Sequence, residues 1–274
     1  MPERMPSFST MTFKNNSFPS LLRYALPPVI ALMVLLVSWE SLVQALNIKS
    51  YFLPSPVDVV SAAWKIRMEL LSAVWLTARA AVCGFLLSIV FGSTVAMLFA
   101  QMTWVRIGCF PYAVLLQTVP IVAIAPLMIN WQGPGFGSVM SIAFIVSAFP
   151  IIANVTAGLT SVDRGLLDVF RLQRASRWQI ALKLQVPHAI PDLVTGARTS
   201  AGLAVIGAIV GEFFAGNSTR QHGLGFMIPQ RIHWMKTDEA FAAVAAATLL
   251  GVIMFSVVSL LRSTVLGRWC QPRS

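Results

Sequence analysis

Long apolar runs separated by short charged clusters set the plan of this chain. Residues 24–48 carry one acid, Glu40, and predict a first membrane-length helix over roughly 26–46. Crossing a hydrocarbon core takes about 20 consecutive apolar residues. Residues 80–100 are uncharged and give a second span, starting near Leu76. Between Arg106 and Asp163 lie 56 residues without a charge. That is too long for one helix and fits two, over 107–131 and 138–160, with a turn at Gln132-Gly133-Pro134-Gly135-Phe136-Gly137. A fifth span is expected at 193–215, where Thr199–Gly211 is uncharged between Arg198 and Glu212, and a sixth at 240–261. The runs are continuous and do not alternate, so a β-barrel is excluded. The expected fold is an all-α polytopic membrane protein with about six transmembrane helices. Its expected divisions are an N-terminal segment 1–24, a membrane domain 25–262 and a tail 263–274.

Composition supports this pattern. Of 274 residues, 57% are hydrophobic and 11% charged, with a mean hydropathy of +0.75. A soluble globule would have too few charges to cover its surface. Soluble enzymes, disordered tails and nucleic-acid-binding domains are thereby excluded. The net charge of +10 reads instead as basic cytoplasmic loops. With the N-terminus inside, 12 basic residues fall on inner segments and 7 on outer ones, which places both termini in the cytoplasm. The third span carries Pro111, Pro120 and Pro126, each of which interrupts backbone pairing. Such breaks are tolerated where neighbouring helices or a wet cavity satisfy the freed groups, so this span should not face lipid all round. The cysteines Cys83, Cys109 and Cys270 show neither metal spacing nor a disulfide framework, and no cofactor motif is present.

The largest predicted inner loop runs from Ser161 to Asp192. Asp163 can cap a helix starting near Arg164. Leu166, Val169 and Phe170 follow i, i+3, i+4 spacing and form an apolar face. Arg171, Arg174 and Arg177 recur every three residues as a basic stripe, and Asp168 can pair locally with Arg171. Such a helix fits either an anionic lipid surface or a groove on a partner protein.

The same loop resembles the signature loop of ABC importer permease subunits of the binding-protein-dependent kind. That pattern is Glu-Ala-Ala, three residues, Gly, nine residues, Ile, one residue, Leu-Pro. Here Asp168-Val169-Phe170 stands at Glu-Ala-Ala, Arg174 at the Gly, Leu184 at the Ile, and Val186-Pro187 at the Leu-Pro. The spacing is intact and only the proline is identical. Leu53-Pro54-Ser55-Pro56, Gly84-Phe85, Pro120 to Pro126-Leu127, the Trp131–Gly137 turn, Phe149-Pro150, Ala175-Ser176-Arg177-Trp178-Gln179, Gly196-Ala197-Arg198, Gly211-Glu212 and Gly223-Leu224-Gly225 look like the alkanesulfonate, taurine and nitrate subgroup. Riboflavin and pyrimidine-precursor permeases have a similar appearance. The resemblance covers roughly residues 53–261. It implies a homodimeric pore in the bacterial inner membrane, with an ATP-binding subunit docked below each copy and a solute-binding protein outside. Spans three to five would line the passage. It also makes Asp168, Val169, Phe170, Arg171, Arg174, Ala175, Ser176, Leu184 and Pro187 the ATPase-coupling residues. The chain contains no Gly-x-x-x-x-Gly-Lys-Ser/Thr phosphate loop, so ATP would bind another polypeptide. Arginine in place of glycine at position 174 favours continuous helix by up to about 1 kcal/mol. Residues 164–180 are therefore expected to bend less than the family pattern, with Arg174 facing an acidic rim of the ATPase.

Three residues are passage candidates. Glu212, near the outer end of span five, reads either as a gate residue in a wet cavity or as a helix-end acid reaching the interface. Gln117 and Asn130 fit helix–helix hydrogen bonds as well as solute contacts. Arg198 reads as a snorkelling or structural residue. The segment Pro56–Leu71, with Val57, Val60, Ala63, Trp64 and Leu71 at helical spacing, fits either an interfacial helix or a solvated connector. The competing functions are a gradient-driven transporter, which usually shows repeats and intramembrane charges, and an intramembrane enzyme, which needs a reactive constellation inside the spans. No repeat and no such constellation is visible in the sequence.

Overall fold

The computed structural model describes residues 17–216 and 222–266, so the outer parts of the expected terminal segments lie outside the described residues. Everything described is helix or connection. The helices are α1 (Ser17–Ala45), α2 (Pro56–Lys65), α3 (Arg67–Gln101), α4 (Thr103–Thr118), α5 (Ile121–Gln132), α6 (Phe136–Thr160), α7 (Arg164–Leu172), α8 (Arg177–Ile180), α9 (Val186–Ala215), α10 (Leu224–His233) and α11 (Thr237–Leu266). Five segments are long and apolar enough to cross a membrane: Leu26–Ala45, Arg67–Gln101, Phe136–Thr160, Arg177–Ala215 and Thr237–Leu260.

The third expected span is not one helix. Its chain breaks at Val119 (φ −69°, ψ 124°) and Pro120 (φ −60°, ψ 122°), which separate α4 from α5. A proline disfavours helical backbone at the residue before it, and Val119 takes the extended alternative. The pair still traverses the molecule. Midway along α4, the Phe110 ring packs edge-on to Phe99 near the end of α3, at 6.2 Å. Gln101, at that same end, donates Nε2–H to Gln185 Oε1 at 3.1 Å, beside the start of the fifth span. At the far end of α5, Gln132 Oε1 accepts from Ser141 at the head of α6. Phe136 in that head lies under the Arg79 guanidinium of early α3, at 5.6 Å. Among the described residues there are thus five long apolar helices, and two short ones, α4 and α5, stand where the third span is expected.

The fifth span starts earlier than the sequence suggests. From Arg177 the chain stays helical through a π turn at Ala181–Gln185 into α9. Pro187 offers no N–H for the carbonyl one turn back, and the ladder widens so that Val186 N–H reaches Ala181 O.

The core is α3, α6 and α9, packed through small residues, as bilayer helices do when no water drives them together. A Cβ on Gly84 of α3 would stand 2.7 Å from Ala143 Cβ, and one on Gly207 of α9 would stand 2.7 Å from Ala143 Cα. Three helices thus converge on one alanine of α6. Lower down, Gly196 abuts Pro150 O, and Ser200 Oγ donates to Ser147 O at 2.6 Å across the same interface.

Candidate functional site

The loop between α6 and α9 satisfies its backbone groups locally and leaves most of its side chains open. Asp163 caps α7, its Oδ1 accepting from Gly165 N–H at 2.7 Å and Leu166 N–H at 3.2 Å. The helix then stops at Leu172. Arg174 N–H bonds Arg171 O at 2.9 Å and Ala175 N–H bonds Phe170 O at 3.0 Å, the paired reversal of a Schellman termination. This termination needs a left-handed residue, and Arg174 supplies it at φ 53°. The expectation that arginine would straighten the 164–180 segment is overturned: the backbone keeps the conformation that glycine would favour. Arginine bears a cost of about 1 kcal/mol for it. A fresh helix starts at once, with Ser176 and Gln179 in a reciprocal capping box (3.2 and 2.7 Å). The predicted basic stripe is consequently divided among α7, the linker and α8.

The side chains of this loop face outward. Leu166, Val169 and Trp178 are exposed, and Leu172 is 84% exposed. Phe170 and Ala175 are half-buried. Asp168 and Arg171 form an exposed ion pair at 3.1 Å, of the kind that adds little stability. Leu184 and Pro187 are half-buried where the π turn joins α9, and Ser161 Oγ lies 3.3 Å from His188 Nε2.

Glu212 sits at the opposite end of the molecule and is buried. Its Oε2 accepts Gly225 N–H at 2.9 Å and the Thr77 hydroxyl of α3 at 2.8 Å. Thr77 Oγ1 in turn accepts Leu224 N–H at 2.9 Å. Those two amides open α10, where N–H groups have no partner within the helix. The carboxylate therefore acts as a tertiary cap that ties α9, α3 and α10 together. Gly225 is obligatory, since a Cβ there would collide with Ile209 O, and one on Gly223 would displace the Glu212 carboxylate. The other end of α10 is anchored by Arg231, which is buried and pairs with Glu69 of α3 and with Glu239 of α11 at 2.9 Å.

Comparison with known proteins decides the family. Residues 84–269 match the family described as binding-protein-dependent transport system inner membrane component. The chain belongs to this family. The permease is 32% identical to the riboflavin transport system permease RibX of Chloroflexus aurantiacus, over 91% of this chain and 93% of that one. It is 31% identical to the formylaminopyrimidine transport permease ThiX of Halalkalibacterium halodurans, over 88% and 95%. It is 28% identical to the putative aliphatic sulfonates permease SsuC of Bacillus subtilis, over 86% and 84%. A chain of the MetNI methionine ABC transporter, in an inward-facing conformation, superposes with a TM-score of 0.62 over 76% of this chain and 99% of that one, at 18% identity. The all-α architecture is therefore that of an ABC importer permease.

The remaining candidates of the permease separate. Gln117 lines a groove of about 490 Å³ between α4, α5, α6 and α9, with Ile124, Phe149, Thr199, Leu203 and Ile206. Asn130 is exposed near the end of α5 and is not part of that groove. Glu212 is not among the lining residues either. Arg198 stacks its guanidinium on Phe255 of α11 at 4.8 Å. Sequence reading missed Thr77 and Arg231, whose partners Glu212 and Glu69 lie far away in the chain. It left the role of Glu40 open, and here Glu40 Oε2 accepts Val57 N–H at 3.4 Å while Oε1 accepts from Gln44 at 2.6 Å.

Proposed function

We propose that this permease carries a small organic solute inward and takes its driving force from a separate ATPase docked on the loop Arg164–Gln179. One observation carries the reading: a loop with three side-chain caps and a Schellman turn leaves Leu166, Val169, Leu172 and Trp178 uncovered. A fixed backbone presenting free apolar side chains suits helix-in-groove docking. Asp168, Arg171 and Arg174 would form its polar rim, and Phe170, Ala175, Ser176, Leu184 and Pro187 would carry displacement of the loop into α9. The loop then faces the cytoplasm, as do both termini, in the inner membrane of a bacterium. A solute-binding protein docks on the opposite face. The open side of the groove at Gln117 and Thr199 meets the same face of a second copy, and the two together enclose the passage.

The groove carries no charged residue among those lining it. That favours an uncharged heteroaromatic vitamin or vitamin precursor over a sulfonate or nitrate, which would call for a cation. ATP-dependent uptake into proteoliposomes holding the permease, its ATPase and its binding protein tests both parts. Leu172→Asp should abolish ATPase co-purification and uptake while leaving the melting temperature of the isolated permease unchanged. Retained co-purification would refute the docking surface. Uptake driven by an ion gradient without ATP would refute the class of transporter.

A further inference from the structure

An apolar stripe runs down the outside of α2 and into α3. Val57, Val60, Trp64, Met68, Leu71 and Trp75 recur at intervals of three and four, and each is between 64% and 73% exposed. The hydrogen-bond ladder bridges the joint between the helices, with Ile66 N–H on Ala62 O and Leu70 N–H on Ile66 O, so the stripe is one surface. It continues past Trp75 through the exposed Val82, Leu86 and Val90 of the membrane-spanning part of α3.

The depth of α2 follows from its neighbours. Its first turn meets Glu40, five residues inside the end of α1, or about 8 Å at the helical rise. Ile66, just beyond its last residue, belongs to one buried cluster with Ala243 and Ala247, which lie about two to three turns inside α11. The buried side of α2, at Ala62, is covered by protein. Helix α2 therefore lies beside the apolar ends of two spans and does not stand above them. Lys65 and Arg67 follow the stripe, with Arg67 folded over the Trp64 ring at 5.1 Å. Among the described residues neither has a carboxylate within salt-bridge distance. Apolar side chains, a tryptophan and two cations outside any ion pair, all within Val60–Arg67, match the boundary between acyl chains and phosphate headgroups.

We propose that α2 is a membrane anchor, seated in the leaflet opposite the Ser161–Ser176 loop. Its Val57–Val60–Trp64 face contacts phospholipid acyl chains, and Lys65 and Arg67 reach the headgroup phosphates. The proposal rests on the membrane assignment of the spans and not on ATPase docking.

Spin labels test it in the full-length permease reconstituted in phospholipid nanodiscs without ATPase or binding protein. Single cysteines replace Val60, Leu86 or Leu172 in a background of Cys83→Ala, Cys109→Ala and Cys270→Ser. Relaxation by oxygen, which partitions into lipid, is compared with relaxation by an aqueous nickel chelate. The oxygen-to-nickel ratio at position 60 should approach that at position 86 and exceed that at position 172 several-fold. Val57→Cys repeats the measurement should the first variant fail to accumulate. Equal ratios at 60 and 172 would make α2 a solvated connector. Shielding from both reagents would mean that protein covers it. Either result overturns the proposal.

Discussion

The two ends of this permease are built on opposite terms. At the end that holds α10, polar groups are consumed internally: Glu212 takes two donors, Thr77 bridges two elements, and Arg231 is held between Glu69 and Glu239. At the other end the backbone groups of the α7–α8 loop are satisfied locally, by Asp163, Ser176 and Gln179, while the side chains remain unoccupied. The first arrangement couples elements distant in sequence, so a single change there is felt by three helices. The second confines each interaction to a few neighbouring residues, leaving the surface free to meet another molecule. Interlocks hold the bundle together at one end, and local caps hold an exposed loop in shape at the other.

The largest test of this contrast is Gly225→Ala. No shift of a flexible side chain can accommodate the new methyl group, because it meets the backbone carbonyl of Ile209. Overpacking of this kind should cost about 3 kcal/mol. A sharp fall in melting temperature, or failure to accumulate, is the expected reading. A normal melt would show that α10 can move away from α9.

Glu212→Ala comes next. It leaves Gly225 N–H without its acceptor in a buried site, at about 2 kcal/mol, while the Thr77 hydroxyl keeps Ala73 O. The melting temperature should drop, while uptake per folded molecule stays near that of the parent. A thermally normal variant with impaired uptake would return Glu212 to the solute passage.

At the loop end the effects should be smaller and local. Asp163→Ala removes the cap of α7, worth about 1 kcal/mol. Amide exchange at Gly165 and Leu166 should accelerate, with no change at Thr77 or Leu224. Faster exchange at both ends would mean that the two are not independent. Arg174→Gly should be smallest of all. It relieves about 1 kcal/mol of left-handed strain, part of which returns as greater freedom of the unfolded chain. Exchange at Ala175 should slow slightly or stay unchanged. Marked acceleration would show that the arginine side chain holds the turn.

Much of the fold was legible because lipid imposes a simple rule. Apolar runs of sufficient length form membrane-length helices, and five of the six expected spans occur as such, the proline-broken third being two shorter helices. The interruption at Val119–Pro120 followed from the proline, but two helices rather than one kinked helix did not. The turn at Arg174 was partly legible. Ser176 with Gln179 three residues on marks a new helix start, which is incompatible with unbroken helix through Arg174. Helix propensity pointed the other way and lost, because a capped start at Ser176 and a stop at Leu172 leave only a tight reversal between them. Nothing local could assign Glu212. Its partner Thr77 is 135 positions away, and a carboxylate beside a span end looks alike whether it faces water or caps a helix.

By itself the sequence determined the apolar segments, the loop that carries charge and the family likeness, since each depends on hydropathy or spacing along the chain. Tertiary structure alone decided which polar residues are interlocks and which are surface, and at what depth α2 lies. Those properties depend on what a side chain meets across the bundle. The meeting is set by close approach at Ala143 of α6, where Gly84 and Gly207 admit two other helices.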